Sequence, residues 1–179
     1  MTSPRHRSGT DRVAEAAAAT SADVVVNIQG DEPFISPLVI DQLVEPFRSE
    51  PGIEMTTLMR PIEDDRDIDD PNVVKVVVDE AGFALYFSRS LIPFSRNQTA
   101  GTRAYEHIGL YAYSKSFLND YSRLEPTPLE QAEGLEQLRV IEHGKRIRVV
   151  ETADHLGLSV DTPEDLSRAE SFLANQLKG

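Results

Sequence analysis

The sequence has no cysteine. That excludes disulfides, thiolate zinc sites and a cysteine nucleophile. It is short of positive charge: 18 Lys and Arg stand against 30 Asp and Glu, a formal net charge of −12. Phosphate-backbone affinity comes from Lys and Arg, so the balance argues against a nucleic-acid partner. A local basic pocket for a small anion stays open. No apolar run reaches the roughly 18 residues of a spanning helix. The opening stretch MTSPRHRSGTDR carries no apolar core of the signal-peptide kind. A cytoplasmic protein with no membrane partner is therefore expected. Neither G-x-x-x-x-G-K-[ST] nor G-x-G-x-x-G occurs, so the common Gly-rich phosphate cradles are missing. No Ser-His-Asp order stands out, and there is no internal repeat.

What is present is ordinary globular composition, 40% hydrophobic and 27% charged. The length of 179 residues suits a single domain over 1–179. A helix is expected from about Thr10 through the run Ala16 to Ala19, with Ser8 and Asp11 as a weak capping box. Asp23 to Ile28 is a β-branched apolar run that predicts a strand buried on both faces, as in a parallel sheet. Gln29-Gly30-Asp31-Glu32-Pro33 reads as a polar turn, and Ser36 to Phe47 as a helix with Pro37 at its first position. Met55 to Arg60 predicts a strand and Glu63 to Asp70 an acidic loop. Val73 to Val78 and Phe83 to Phe87 flank a turn and predict a hairpin. Ser95 to Thr102 is polar and reads as a mobile loop. His107 to Tyr113 is a further strand, followed by a short helix from Lys115 to Tyr121. Thr127-Pro128-Leu129-Glu130 and Thr162-Pro163-Glu164-Asp165 are clear helix starts. The first helix is expected to run to His143 and stop at Gly144, and Arg146 to Thr152 to be a strand. Strands alternating with helices predict a mostly parallel α/β sandwich with an inserted hairpin.

Ligands in open α/β sheets bind beyond the carboxyl ends of strands. Asp31 and Asp161 both fall at such positions. Two carboxylates arriving from separate strand ends suit a hard cation such as Mg²⁺, which takes one or two of them plus substrate phosphates. The plainer reading has Asp31 shaping a turn and Asp161 near a helix N-terminus. Arg12, Lys75, Arg89 and Arg96 are candidate cations for an anionic substrate. His107 at a strand start is either a ligand contact or a structural histidine. Glu136 and Gln137, inside a helix, are either a pocket pair or a solvated one.

The segments SGTDRVAE, VVVNIQGDEP, ALYFSRSLIPF, HIGLYAYSKSFL, PTPLEQAEGLEQLRVIEHG and VDTPEDL resemble, in order, the CMP-KDO synthetase family (3-deoxy-manno-octulosonate cytidylyltransferase). YFSRS-x-IP, HIG-x-Y and LEQLR together are specific within the sugar-nucleotide transferase superfamily. The resemblance implies a nucleotide-diphospho-sugar transferase-like three-layer α/β sandwich. It also implies an enzyme that joins CTP to the acidic sugar KDO, giving CMP-KDO and pyrophosphate for lipopolysaccharide, with Mg²⁺ as cofactor and a homodimeric assembly. By motif position it makes Asp31 and Asp161 the metal carboxylates and places Ser8, Gly9 and Thr10 beside the cytosine. It gives KDO contacts to Gln29, Arg89, His107, Tyr111, Glu136 and Gln137, and a catalytic part to Asp31, Arg89 and Asp161. Other readings are a synthetase for sialic acid or amino-KDO, and an inactive nucleotide- or sugar-binding fragment or interface module. Family chains carry a strand and a basic loop of the type ARYGSTRLPGKPL before the SGT motif. This sequence opens at Met1-Thr2-Ser3-Pro4, so the resemblance implies a shortened domain in which CTP binds poorly and turnover is low. Ser159 also stands where the family usually has Gly, in a turn that tolerates positive φ.

Overall fold

A computed structural model describes residues 2, 6, 9–96, 103–154, 160 and 162–176. The elements run α1 (Gly9–Ala18), β1 (Val24–Asn27), α2 (Pro37–Val44), α3 (Pro46–Ser49), β2 (Met55–Pro61), α4 (Asp65–Ile68) and β3 (Lys75–Val78). They continue with β4 (Ala84–Ser88), β5 (Tyr105–Ser114), α5 (Lys115–Tyr121), α6 (Pro128–Glu133), α7 (Gln137–Glu142), β6 (Arg148–Glu151) and α8 (Pro163–Gln176). The polar stretch Ser95 to Thr102 falls mostly outside the described residues, as does Ser159.

Local chemistry sets most boundaries. Ser36 caps α2, accepting from the Leu38 N–H, with Pro37 in the first turn. Thr162 and Asp165 cap α8 reciprocally: the Thr162 N–H donates to Asp165 Oδ2 at 3.0 Å and the Asp165 N–H to Thr162 Oγ1 at 3.2 Å. Glu130 Oε2 accepts from the Thr127 N–H at 3.2 Å, fixing the start of α6. The acidic segment 63–70 contains one helical turn, α4, capped by the Asp64 carboxylate.

Two helices predicted as continuous are broken, each for a local reason. Pro46 has no N–H to continue α2, so the chain restarts as α3. Gly134 adopts the left-handed conformation, φ 64°, and ends α6 before the chain turns into α7. The second break sets the site: it converts Glu136 and Gln137 from mid-helix residues into the entry of a new helix.

The sheet is mixed rather than mostly parallel, with order β4-β3-β5-β2-β6 and β1 also on β5. Among the described residues the parallel pairing is β2 with β6, while β5 is antiparallel to β1, β2 and β3, and β3 to β4. The run at β1 is half-buried, and among the described residues it pairs antiparallel with β5. The ten-residue β5 organises everything else. Strand β2 occupies one of its edges from Tyr105 to Tyr113. Strands β3 and β1 therefore share the other edge, β3 at Glu106 and His107 and β1 at Tyr111 to Ser114. Between them, among the described residues, Ile108 to Leu110 face no strand on that edge.

Alternation along β5 sends side chains to two cores. Tyr113 packs with Ala14, Ala17, Phe87, Phe117, Leu118, Tyr121, Leu138 and Val149 against α1, α5 and α7. Ile108, Leu110 and Ala112 pack with Leu58, Val39 and Leu43 against α2. Helices thus cover both faces, the three-layer arrangement. Each fully buried aliphatic side chain contributes about 1.5–3 kcal/mol by leaving water. Phe172 of α8 meets Phe34 edge-on at 5.1 Å, tying the last helix to the loop after β1. No described helix is long and apolar enough to cross a membrane.

Candidate active site

A cavity of about 430 Å³ opens over Gly109, between the β3 and β1 anchors on β5. Its floor is Gly109, and its walls are Gly9 and Thr10 from α1, Asn27, Gln29, Asp31 and Glu32 from the end of β1, Tyr111, and Gly134 to Gln137. Segments far apart in sequence converge because β1 and α7 meet over the same stretch of β5. Seven residues singled out from sequence line it: Gly9, Thr10, Gln29, Asp31, Tyr111, Glu136 and Gln137. Ser8 and Asp161 lie outside the described residues. The Val160 N–H, next in sequence to Asp161, donates to the Asp31 carbonyl at 2.8 Å.

Thr10 is buried, and its hydroxyl donates to Glu136 Oε2 at 3.2 Å across the cavity. Burial raises the Glu136 carboxyl above its ordinary value, while the Thr10 bond and Arg139 act the other way. Burial also raises the Tyr111 phenol well above its usual range, so it remains a neutral hydroxyl. The walls therefore offer an array of oxygen acceptors and hydroxyl or amide donors suited to a polyhydroxylated ligand.

Arg89 does not line the cavity; it stands behind Gly134. Its Nε donates to the Glu133 carbonyl at 2.7 Å and its Nη1 to the Pro71 carbonyl at 2.8 Å. Its main-chain N–H donates to Glu133 Oε2 at 2.9 Å, and Ser88 Oγ holds the other carboxylate oxygen at 2.7 Å. A Cβ placed on Gly134 would lie 4.0 Å from Nη2, the guanidinium nitrogen nearest the cavity wall.

His107 is buried, 8% exposed, directly behind Gln137. Desolvation pushes its imidazole down to about 3, so it is neutral. Phe87 packs edge-on against its ring at 4.8 Å.

Lys75, a sequence candidate for anion binding, has a different role. It is fully buried, and its Nζ donates to the carbonyls of Asp70 (2.6 Å), Val73 (2.7 Å) and Arg89 (3.2 Å). Its three donors are spent on main chain, which anchors the backbone of Arg89. Arg12 donates to Thr2 Oγ1 at 3.4 Å, and Arg96 is exposed.

The cavity carboxylates are hard oxygen donors. Among the described residues no cluster of three or more His, Cys, Asp or Glu is arranged to hold a metal by protein ligands alone. A single carboxylate completed by phosphate oxygens and water is a usual Mg²⁺ environment, and Asp31 at the cavity wall fits that chemistry.

Asn27, Glu32, Gly109, Gly134 and Leu135 line the cavity without having been singled out. Two carried a readable signal: a glycine inside a strand pattern marks a bulge or close approach, and one inside a helical pattern marks a cap. Gly109 and Leu110 are the extra residues where β5 slips against Thr57 and Leu58.

Residues 1–147 match the cytidylyltransferase family. The 3-deoxy-manno-octulosonate cytidylyltransferase of Solibacter usitatus is 56% identical over 180 residues, covering 100% of this chain and 71% of that protein. The protein of the same name from Flavobacterium johnsoniae is 49% identical, covering 97% and 71%. A solved structure of CMP:2-keto-3-deoxy-manno-octonic acid synthetase complexed with CTP superposes with a TM-score of 0.92 at 41% identity, covering 98% of this chain and 72% of that one.

Proposed function

Because the chain belongs to the 3-deoxy-manno-octulosonate cytidylyltransferase family, we propose that the cavity over Gly109 is where its acidic sugar meets CTP. The protein is a nucleotidyltransferase that joins CTP and KDO into CMP-KDO and pyrophosphate. The anomeric oxygen of KDO forms a bond to the α-phosphorus as the bond to pyrophosphate breaks, and the hydroxyl proton is lost. Lipopolysaccharide synthesis, the cytoplasm and a homodimer belong to the same proposal.

Chain residues supply position and polarity. Gly9 and Thr10 border the nucleotide, and Thr10 holds the Glu136 carboxylate by its hydroxyl. Gln29, Tyr111, Glu136 and Gln137 address sugar hydroxyls. Arg89, braced by Glu133 and Pro71, offers its remaining nitrogen to the sugar carboxylate. Asp31, with Asp161, would hold Mg²⁺. When bound, that ion neutralises phosphate charge and orients the reacting oxygens.

The observation that carries this reading is the convergence of Gly9, Thr10, Gln29, Asp31, Tyr111, Glu136 and Gln137 on one cavity. The test is pyrophosphate release from CTP with Mg²⁺ and either KDO or sialic acid, together with calorimetric titration of each sugar. KDO is expected to bind and to react at the low turnover of a shortened domain, and Gln137→Ala to weaken its binding selectively. Preference for sialic acid, or KDO binding indifferent to Gln137→Ala, overturns the assignment.

A further inference from the structure

Thr57 belongs to no motif. It is fully buried on β2, beneath the cavity floor. Its Oγ1 lies 2.8 Å from the Leu110 carbonyl, 3.2 Å from the Ile108 carbonyl and 2.9 Å from Nε2 of His107. The bulge at Gly109 and Leu110 is what turns those two carbonyls toward a single hydroxyl.

The direction of every bond outward from this point is forced. Carbonyls only accept, so the one hydroxyl proton of Thr57 goes to them. Oγ1 then serves His107 as an acceptor, and Nε2 must carry a proton. The buried ring is neutral, so Nδ1 holds a lone pair. Nδ1 faces the amide nitrogen of Gln137 at 3.5 Å. With the NH₂ end turned inward, Oε1 is the end of the amide left over, and among the described residues it makes no hydrogen bond. Gln137 lines the cavity.

We propose that Thr57 is a positioning residue: through the tautomer of His107 it decides that Gln137 presents an oxygen acceptor to the cavity, which selects a ligand group that donates there. A sugar hydroxyl meets that requirement; a carboxylate or phosphate oxygen does not. The inference rests on the sugar-acid reading of the cavity. Replacing Thr57 by Val removes the acceptor. His107 is then released to carry its proton on Nδ1, which turns the amide of Gln137 around.

The test uses the 179-residue chain labelled with ¹⁵N-histidine. Wild type should show His107 protonated at Nε2 and bare at Nδ1. Thr57→Val should shift it toward the Nδ1–H form, and Thr57→Ser should restore it. KDO affinity, followed by NMR titration, should fall in Thr57→Val by about three- to tenfold, the worth of one net hydrogen bond. It should recover in Thr57→Ser, with CTP affinity unchanged throughout. An Nδ1–H wild type overturns the relay, and that spectrum needs no substitution, so a variant that fails to fold leaves it refutable. If Gln137→Ala weakens KDO but Thr57→Val does not, the positioning role fails and the cavity assignment stands. If neither weakens KDO, the cavity assignment itself fails.

Discussion

Acid should destabilise this fold through one histidine. His107 is buried with no carboxylate partner among the described residues, and desolvation lowers its pKa from 6.5 to about 3. In the unfolded chain it titrates normally. Below pH 6.5 the unfolded state binds a proton that the folded state refuses, so stability present above 6.5 is lost as pH falls toward 3. The full window is about 3.5 units, or roughly 5 kcal/mol at 1.36 kcal/mol per unit. Between pH 7 and pH 5 the share of this one group is about 2 kcal/mol. The perturbation is His107→Gln, which keeps a donor near Thr57 and removes the titration. Urea unfolding followed by circular dichroism at both pH values gives the loss for each protein. Every carboxylate and the other three histidines are common to the two. Wild type should lose about 2 kcal/mol more than the variant. Equal losses would refute the reasoning, because a neutral, proton-refusing imidazole cannot then be part of the folded state.

Gly134→Ala should cost about 1–2 kcal/mol and lower Tm by a few degrees, since φ 64° disfavours a Cβ while the nearest atom, Arg89 Nη2, is 4.0 Å away; an unchanged Tm would exclude the left-handed cap. In the Arg139–Glu130 pair Arg139 is buried and Glu130 mostly so, with Arg139 Nε 2.8 Å from Glu130 Oε2. Arg139→Met should therefore cost about 3–5 kcal/mol in urea unfolding, and adding Glu130→Leu should recover part of it. Lys75→Met strips three carbonyls of their donor; hydrogen exchange should rise at Asp70, Asn72, Val73 and Arg89 before it does in β5. Arg89→Lys should weaken KDO more than CTP in paired titrations, because one ammonium cannot hold the Pro71 and Glu133 carbonyls and reach past Gly134.

Element type was readable wherever local chemistry decides it. The Lys115–Tyr121 helix and the Asp79–Gly82 hairpin turn follow from caps and turn residues that act within a few positions. Strand direction was not readable. Val24 to Asn27 satisfies a parallel-sheet pattern, yet its partner is β5, a choice made by contacts some 90 residues away. The Gly134 break is masked in the sequence because apolar spacing continues across it, with Leu135 and Leu138 both buried. Motif likeness names together seven residues that line one cavity, but not how deep each candidate lies. Lys75, Arg89 and His107 are polar residues of the usual binding types, and only the fold shows their donors turned to main chain or core.

The stretch of β5 between its two anchors works as a ruler. Strand β3 holds on at His107 and β1 at Tyr111, so the width of the aperture is counted in residues of one strand, roughly 13 Å at most for four steps. Side-chain changes on either bank leave that count untouched. Deleting one residue between the two anchors would do more than narrow the opening: it would reverse the pleat beyond it and turn Tyr111 and Tyr113 toward the α2 side. The sheet thus sets the length of this segment independently of the chemistry on its banks.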